Sequence, residues 1–299
     1  MSVRIQVPAT TANLGPGFDI LGMALQFYNR FEAKVADELS VSVLPGTCVD
    51  VTYLNLDPAR NIVARAYRTF FEKTGCDFLP AHLGIEAHIP LARGLGSSST
   101  AIVAGLILAN EISEYDCSLA ELLAMAVELE GHPDNVTPAI MGGVCCSLPG
   151  KPLLQLNWPS DWGLIFIIPP TSMSTKKARA VLPAQYDESV MSHQRVMLEQ
   201  WVKALEAHNT QAFSQALTSD QLHEPYRKPL IPEWAIVDEV LKETDALGCV
   251  LSGAGSTLLV ITPSSESTVL LQKSLLDNPR LAHCKIMRLK PDCVGACLI

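Results

Sequence analysis

Apolar and polar positions alternate in several short stretches of the chain, which is the pattern of half-buried strands. Val3, Ile5 and Val7 alternate with polar residues before Pro8, and Leu83 to Ile89 alternate before Pro90. These patterns predict two strands that end at the prolines. Further strands are expected at 22–36, 39–44 and 162–168, at 249–262 as strand, glycine turn and strand, and at 284–290.

Other segments carry helix signals. Asn61 to Thr74 reads as a helix closed by Gly75, and an apolar helix is expected over 101–113. Ser118 followed by Glu121 is a capping box, so a helix should run from there to about residue 130. Helices are also expected within 176–218, 233–247 and 266–277. Because strands and helices alternate in both halves, the pattern predicts a mixed α/β or α+β protein.

Length and composition are those of a two-domain globular protein. The chain has 299 residues, and 48% of them are hydrophobic, which is enough to build a sizeable core. Prolines and a Gly-Lys pair cluster within 150–162. We therefore expect a domain boundary there and predict domains at 1–155 and 156–299.

Charge and cysteine content narrow the function classes. The formal net charge of −9 argues against general binding to nucleic acid or to an anionic membrane. No stretch is long and apolar enough to predict a membrane-spanning helix, and the N-terminus lacks the apolar core of a signal peptide. The nine cysteines lack paired spacing. We expect reduced thiols and a cytoplasmic protein.

The most informative segment is rich in glycine and hydroxyl groups and lies between a predicted strand and an apolar helix. Glycine permits positive φ and close approach of the backbone, and the first turn of a helix offers unpaired N–H groups with positive potential. Such a turn suits a phosphate group. The candidate nucleotide contacts are Pro90, Leu91, Ala92, Arg93, Gly94, Leu95, Gly96, Ser97, Ser98, Ser99 and Thr100.

Two familiar phosphate loops do not match this segment. It lacks the Gly-Lys-Ser/Thr of a P-loop, and Gly94-x-Gly96 lacks the third glycine of the dinucleotide fingerprint. A flexible strand-to-helix turn with serines at the helix N-terminus is the competing interpretation.

Five segments, in order, resemble the GHMP small-molecule kinases, and among them those that act on homoserine. The phosphate loop Pro90-x3-Gly94-Leu-Gly96-Ser97-Ser98 is the first to show it. The others are 8–19 (PATTANLGPGFD), 130–143 (EGHPDNV followed by Gly-Gly), 174–179 with 224–227 (STKKAR and EPYR), and 252–257 (SGAGST). Two departures stand out: Ser99-Thr100 replace the usual two alanines, and the last motif lacks its usual proline.

The resemblance implies a two-domain fold, with an N-terminal α/β domain like that of a ribosomal protein and a C-terminal ferredoxin-like domain. It implies ATP-dependent phosphorylation of the side-chain hydroxyl of L-homoserine to O-phospho-L-homoserine, in threonine biosynthesis. The alternatives are a kinase of this family for another small alcohol, or an inactive metabolite-binding homologue. Members often form homodimers, and ATP with Mg²⁺ is expected.

The resemblance also assigns roles to residues. Ser98 and Glu130 would hold the metal, with Glu128 as an alternative for the carboxylate. Asn61 is either an adenine contact or a plain helix cap. The predicted substrate residues are Asn13, Asp19, His132, Asn135, Thr175, Arg179, Arg227 and Gly253.

Asp19 suits an ammonium group, although a turn role is the alternative, and guanidinium groups suit a carboxylate or phosphoryl group. Arg179, Asn135 and Asp134 are the catalytic candidates. An amide such as Asn135 cannot accept the proton of the hydroxyl. The resemblance therefore implies direct attack by the hydroxyl without a strong base, unless Asp134 points inward and serves as one.

Overall fold

The computed structural model describes all 299 residues and contains two antiparallel-dominated sheets. The first sheet has the order β11-β1-β2-β4-β3, with β5 paired to β2 and β6 paired to β5; only β3 and β4 are parallel. Its strands are β1 Ser2–Asn13, β2 Gly17–Val35, β3 Ser40–Val43, β4 Ala81–Glu86, β5 Val144–Cys146, β6 Leu154–Leu156 and β11 Cys297–Leu298. The second sheet has the order β10-β7-β9-β8, formed by β7 Gly163–Ile168, β8 Gly248–Leu251, β9 Leu258–Thr262 and β10 Lys285–Arg288.

Ten α-helices accompany the sheets. The first four are α1 Ile62–Thr74, α2 Ser97–Ser113, α3 Leu119–Glu130 and α4 Pro133–Met141, and they pack with the first sheet around a core of 27 buried residues. The remaining helices are α5 Thr175–Ala180, α6 Glu188–Glu206, α7 Thr210–Leu217, α8 Glu224–Arg227, α9 Glu233–Leu241 and α10 Ser265–Leu276. None of the helices combines the length and apolar character needed to cross a membrane.

A second core of 25 buried residues joins the two sheets. Leu21 and Met23 of the first sheet share it with Leu164 and Phe166 of β7, and Trp201 of α6 lies fully buried in it. The alternate residues of β7, such as Ile165, face a third core on the other side of the second sheet. Because the second core contains residues of both sheets, apolar packing holds the two halves of the molecule together.

Several local expectations are confirmed. Asn61 caps α1 by accepting from the N–H groups of Val63 and Ala64, and Gly75 ends that helix at φ 72°. Both hydrogen bonds of the capping box between Ser118 and Glu121 are present. These features rest on contacts within four residues, which the local sequence specifies.

Other expectations were wrong at their boundaries. β1 runs on through Pro8 to Asn13, because a register shift between Pro8 and Ala9 removes the need for an N–H there. β4 ends at Glu86, because the side chain of Asn29 takes the next free N–H groups of His88 and Ile89. The helix expected from 101 begins at Ser97, following Gly96 in the left-handed conformation.

The second half also differs in detail. The helices expected within 176–218 are confirmed as three, α5 to α7, whereas the helix expected to reach 247 ends at Leu241. Helices α4 and α8 and strands β5, β6 and β11 were not predicted. The strand β6 belongs to the first sheet, β7 to the second, and β11 returns to pair with β1. The domain boundary after residue 155 stays a prediction.

Candidate functional site

A cavity of about 930 Å³ lies between the two halves of the molecule. Every residue predicted to contact nucleotide, substrate or metal lines this cavity except Thr100 and the alternative metal carboxylate Glu128. The Thr100 side chain is fully buried, where its hydroxyl donates to the Ser97 carbonyl at 2.8 Å and accepts from Asn29 at 2.9 Å. The fold thus brings together segments that are up to 240 positions apart in the sequence.

The glycine-rich loop wraps one end of this cavity and leads into α2. Gly94 and Gly96 have φ values of 77° and 68°, which favour glycine. A Cβ on Gly96 would lie 1.9 Å from Thr10 Oγ1, and one on Gly94 would lie 2.0 Å from the Ser252 carbonyl oxygen. No side chain caps the first turn of α2. Its N–H groups and the helix dipole can therefore serve an anion.

The second half of the molecule braces the outside of the loop. Ser252 Oγ donates to the Gly94 carbonyl at 2.6 Å, and the Thr257 N–H donates to the Arg93 carbonyl at 3.1 Å. The Arg93 guanidinium donates to the carbonyls of Pro169, at 3.0 Å, and Pro170. Arg93 therefore shapes the loop with its side chain, because its donors are already occupied by backbone oxygens.

A carboxylate and two serines meet at the start of α2. Ser99 Oγ donates to Glu130 Oε1 at 2.9 Å, while Ser98 is exposed to the cavity. Burial raises the pKa of Glu130. The alternative carboxylate, Glu128, is exposed and paired with Lys73 at 2.6 Å. The site offers hard oxygen donors of the kind that Mg²⁺ prefers.

Helix α4 presents a chain of hydrogen-bonded polar groups. His132 Nδ1 lies 2.5 Å from Asp134 Oδ1, and Asn135 Nδ2 donates to the same oxygen at 3.3 Å. Asn135 Oδ1 accepts from Thr10 at 2.8 Å, which fixes the orientation of the amide. Burial would lower the pKa of His132, but the hydrogen bond and charge of Asp134 outweigh it and raise that pKa.

An ion pair between the two halves of the molecule lines the cavity. Arg179 of α5 donates to both carboxylate oxygens of Asp19, at 3.0 and 2.7 Å, and this raises the pKa of Arg179. Asn13 Oδ1 accepts from the Asp19 N–H at 3.2 Å, and its amide donates to the Gly253 carbonyl at 2.9 Å. Thr175 begins α5 at the cavity edge. The tight turn of 13–19 thus holds one carboxylate against the second half.

Arg227 lies deeper beside this pair. Its side chain is buried and donates to the carbonyls of Ala178 at 3.1 Å and Gly253 at 3.2 Å. The guanidinium carbons of Arg227 and Arg179 lie 5.2 and 5.5 Å from the ring centre of Phe18. Two cations therefore share one aromatic ring in the part of the cavity around Asp19.

Asn61 lines the opposite side of the cavity with Ile62 and Val63. Its side-chain oxygen caps α1, and its amide donates to the Asn55 carbonyl at 2.6 Å. Both ends of the side chain are engaged within the protein. The helix-cap role is confirmed, and contact with an adenine ring stays a prediction.

Three residues of the site were missed from the sequence. Asn29 links β2 to α2 and to the segment between β4 and the loop, Thr10 orients Asn135, and Phe18 lies against both arginines. A buried polar residue in a long strand, such as Asn29, was the available signal. Nothing local distinguishes Thr10 or Phe18, because their partners are distant in the chain.

Comparison with known proteins places this geometry in context. Residues 61–143 match the family model for the GHMP kinases N terminal domain, and residues 201–275 match that for the GHMP kinases C terminal domain. A homoserine kinase of Synechococcus sp. is 43% identical over 92% of this chain and 90% of its own length. The homoserine kinase structure from Cytophaga hutchinsonii is 25% identical, with a TM-score of 0.87 over 100% of this chain and 97% of that one. A mevalonate kinase structure shares the fold, with a TM-score of 0.72 at 13% identity over 97% of this chain and 99% of that one.

Proposed function

This chain belongs to the homoserine kinases of the GHMP kinase family, and on that premise we propose how its residues act. The reaction is transfer of the γ-phosphoryl group of ATP to the side-chain hydroxyl of L-homoserine, which yields O-phospho-L-homoserine for threonine biosynthesis. The observation that carries the proposal is one cavity lined both by a glycine-rich loop at a helix N-terminus and by a carboxylate with two guanidinium groups.

The loop would hold the triphosphate. Gly94 and Gly96 let the backbone approach the phosphates, and the uncapped first turn of α2 supplies N–H donors and positive potential. The Ser97 and Ser98 hydroxyls add donors. The adenine would lie toward Asn61, along the apolar wall that includes Val49 and Val63.

The residues at the start of α2 fit a magnesium ion. Glu130 would hold it, with the hydroxyl of Ser98, because both line the cavity and both are oxygen ligands. Bound Mg²⁺ neutralises charge that develops on the transferring phosphoryl group. In the structure Glu130 is hydrogen bonded to Ser99, whose hydroxyl orients the carboxylate.

The part of the cavity around Asp19 would bind an amino acid through its ammonium and carboxylate groups. Asp19, beside Asn13, would bind the ammonium group, and Arg179 and Arg227 would bind the carboxylate. Asp19 and Arg179 form an ion pair with one another in the structure. When the substrate binds, Asp19 would instead pair with its ammonium group and Arg179 with its carboxylate. A neutral sugar offers neither charge.

The hydroxyl would then attack the γ-phosphoryl group directly. Phosphoryl transfer depends on positioning and charge neutralisation more than on covalent chemistry. Asn135, oriented by Thr10, would position the hydroxyl, and Asp134 is engaged with His132. Arg179 would neutralise charge at the acceptor or at the transferring group. This assignment needs no strong side-chain base.

Coupled ADP release with homoserine, mevalonate, galactose and no acceptor tests the proposal. ADP release that requires homoserine is the expected result. ADP release with another alcohol would identify a different substrate, and tight nucleotide binding without any turnover would identify an inactive homologue. The cytoplasmic location and the homodimer stay predictions, for which cell fractionation and light scattering are the measurements.

A further inference from the structure

A buried polar turn around Asp220 lies behind the part of the cavity proposed to bind homoserine, which is called the acceptor end below. The Asp220 carboxylate accepts from Gln194 Nε2 at 2.7 Å and from the N–H groups of Leu222, His223 and Glu224 at 3.2, 3.0 and 2.7 Å. Four donors on one buried carboxylate fix the conformation of the chain that enters α8. His223, the residue directly before α8, is thereby held at a defined place behind the cavity wall.

The His223 ring is fully buried between two residues of the acceptor end. It stacks on Phe18, with ring centres 5.0 Å apart and planes 23° from parallel. Its Nδ1 lies 3.3 Å from Arg227 Nη1. Because a guanidinium group has no acceptor, Nδ1 accepts this hydrogen bond and the ring proton lies on Nε2, which is buried without a hydrogen-bond partner, 3.7 Å from Asp220 Oδ2.

The imidazole is suited to accept because it is neutral. Burial lowers the pKa of His223 to about 4. Arg227 forms no ion pair, and its Nη2 group has no hydrogen bond within the protein. Burial and the nearby Arg179 lower the pKa of Arg227, and these effects outweigh the opposing charges of Asp19 and Asp220, neither of which forms an ion pair with it.

The partners of Arg227 differ in this respect from those of Arg179. Arg179 is neutralised by Asp19, whereas Arg227 is held only by two carbonyls and one neutral imidazole. Neutral acceptors orient a guanidinium group without cancelling its charge. That charge is left for an anionic group of the ligand.

We propose that His223 is a positioning residue. Its neutral imidazole orients the Arg227 guanidinium without cancelling the positive charge, which then binds the carboxylate of homoserine. The inference rests on the proposed function, since it takes Arg227 as a ligand of that carboxylate. Phe18, stacked on the same ring, would be held in place with it.

Two substitutions separate the acceptor atom from the ring. H223F keeps an aromatic ring against Phe18 but removes the acceptor, whereas H223N places an amide oxygen near the position of Nδ1. Losing a hydrogen bond to a charged group corresponds to about 10- to 100-fold in affinity. H223F should therefore raise the KM for homoserine by about that factor, with kcat and the KM for ATP within about threefold of wild type. H223N should keep the KM near the wild-type value.

A carboxylate-free acceptor supplies the matched control. For 3-aminopropan-1-ol, which is homoserine without its carboxylate, wild type, H223F and H223N should show equal kcat/KM. Thermal unfolding checks that each variant is folded; if H223F is not, H223Q replaces it, because the Gln amide lies at the Nε2 position. An unchanged homoserine KM in H223F, or an equal rise in H223N, would overturn the proposal. Failure of wild type to phosphorylate homoserine would instead refute the proposed function.

Discussion

Gly94→Ala is a direct test of whether the glycine-rich loop binds the nucleotide. Gly94 has φ 77°, and a Cβ there would lie 2.0 Å from the Ser252 carbonyl oxygen and 2.8 Å from the Gly255 N–H nitrogen. Both obstacles are backbone atoms, so the loop or the β8–β9 turn must shift. The left-handed conformation costs Ala about 1–2 kcal/mol, and the overpacking adds about 1–3 kcal/mol.

The matched control is Gly75→Ala, at the end of α1. Gly75 has nearly the same φ, 72°, but a Cβ there would meet nothing within 4 Å. The control therefore carries the conformational cost of about 1–2 kcal/mol without the steric one. Comparison of the two variants isolates the displacement of the loop.

We expect displacement of the loop to reduce kcat/KM for ATP by about 100-fold in G94A, since misplacement of catalytic groups by about 1 Å has effects of that size. G75A should keep the wild-type value. Coupled ADP release at saturating homoserine measures both, and thermal unfolding shows how much stability each variant has lost. If G94A is folded and keeps the activity of G75A, the loop does not embrace the triphosphate.

Three further predictions concern carboxylates. Asp134→Asn should lower turnover only a few-fold, as measured by steady-state kinetics, because no strong base is required; a loss of about 10³-fold or more would identify Asp134 as the base. Glu130→Gln should raise the Mg²⁺ concentration for half-maximal activity about tenfold, while Glu128→Gln should not, and the reverse result would move the metal to Glu128. Burial raises the pKa of Glu224 from 4.5 to about 7, so this group costs stability as pH rises through that range, by about 3 kcal/mol in total. Burial lowers the pKa of His223 to about 4, so its contribution makes the protein less stable as pH falls from 6.5 toward 4. In the wild type this pH dependence is opposite to that of Glu224, and the two offset one another. Denaturant unfolding of Glu224→Gln should therefore show stability rising between about pH 4 and 6.5, and a curve parallel to wild type would contradict this.

Helix ends could be predicted because their contacts are local. Asn61, Ser118 and Gly75 each act on backbone groups within four residues, so the order of residues is sufficient. For the loop, the glycines and serines are visible in the sequence, but its shape also depends on contacts with Ser252 and Thr257 of the second half, and the start of α2 at Ser97 was not predicted. Proline misled the prediction at Pro8, because only the pairing of β1 with β2 shows that its missing N–H falls at a register shift.

The acceptor end of the cavity depended on tertiary structure. Asp19 and Arg179 are 160 positions apart, and their roles were available only from a family resemblance until the fold placed them 2.7 Å apart. The neutral support of Arg227 by His223 could not be foreseen, because burial decides both the protonation of the imidazole and the cost of leaving a guanidinium unpaired. By itself, the order of residues determined most of the helices and strands, the helix caps and the position of the glycine-rich loop. Only the packing of two sheets against each other decided which charges face one another, because electrostatic interactions act across space and strengthen when water is excluded.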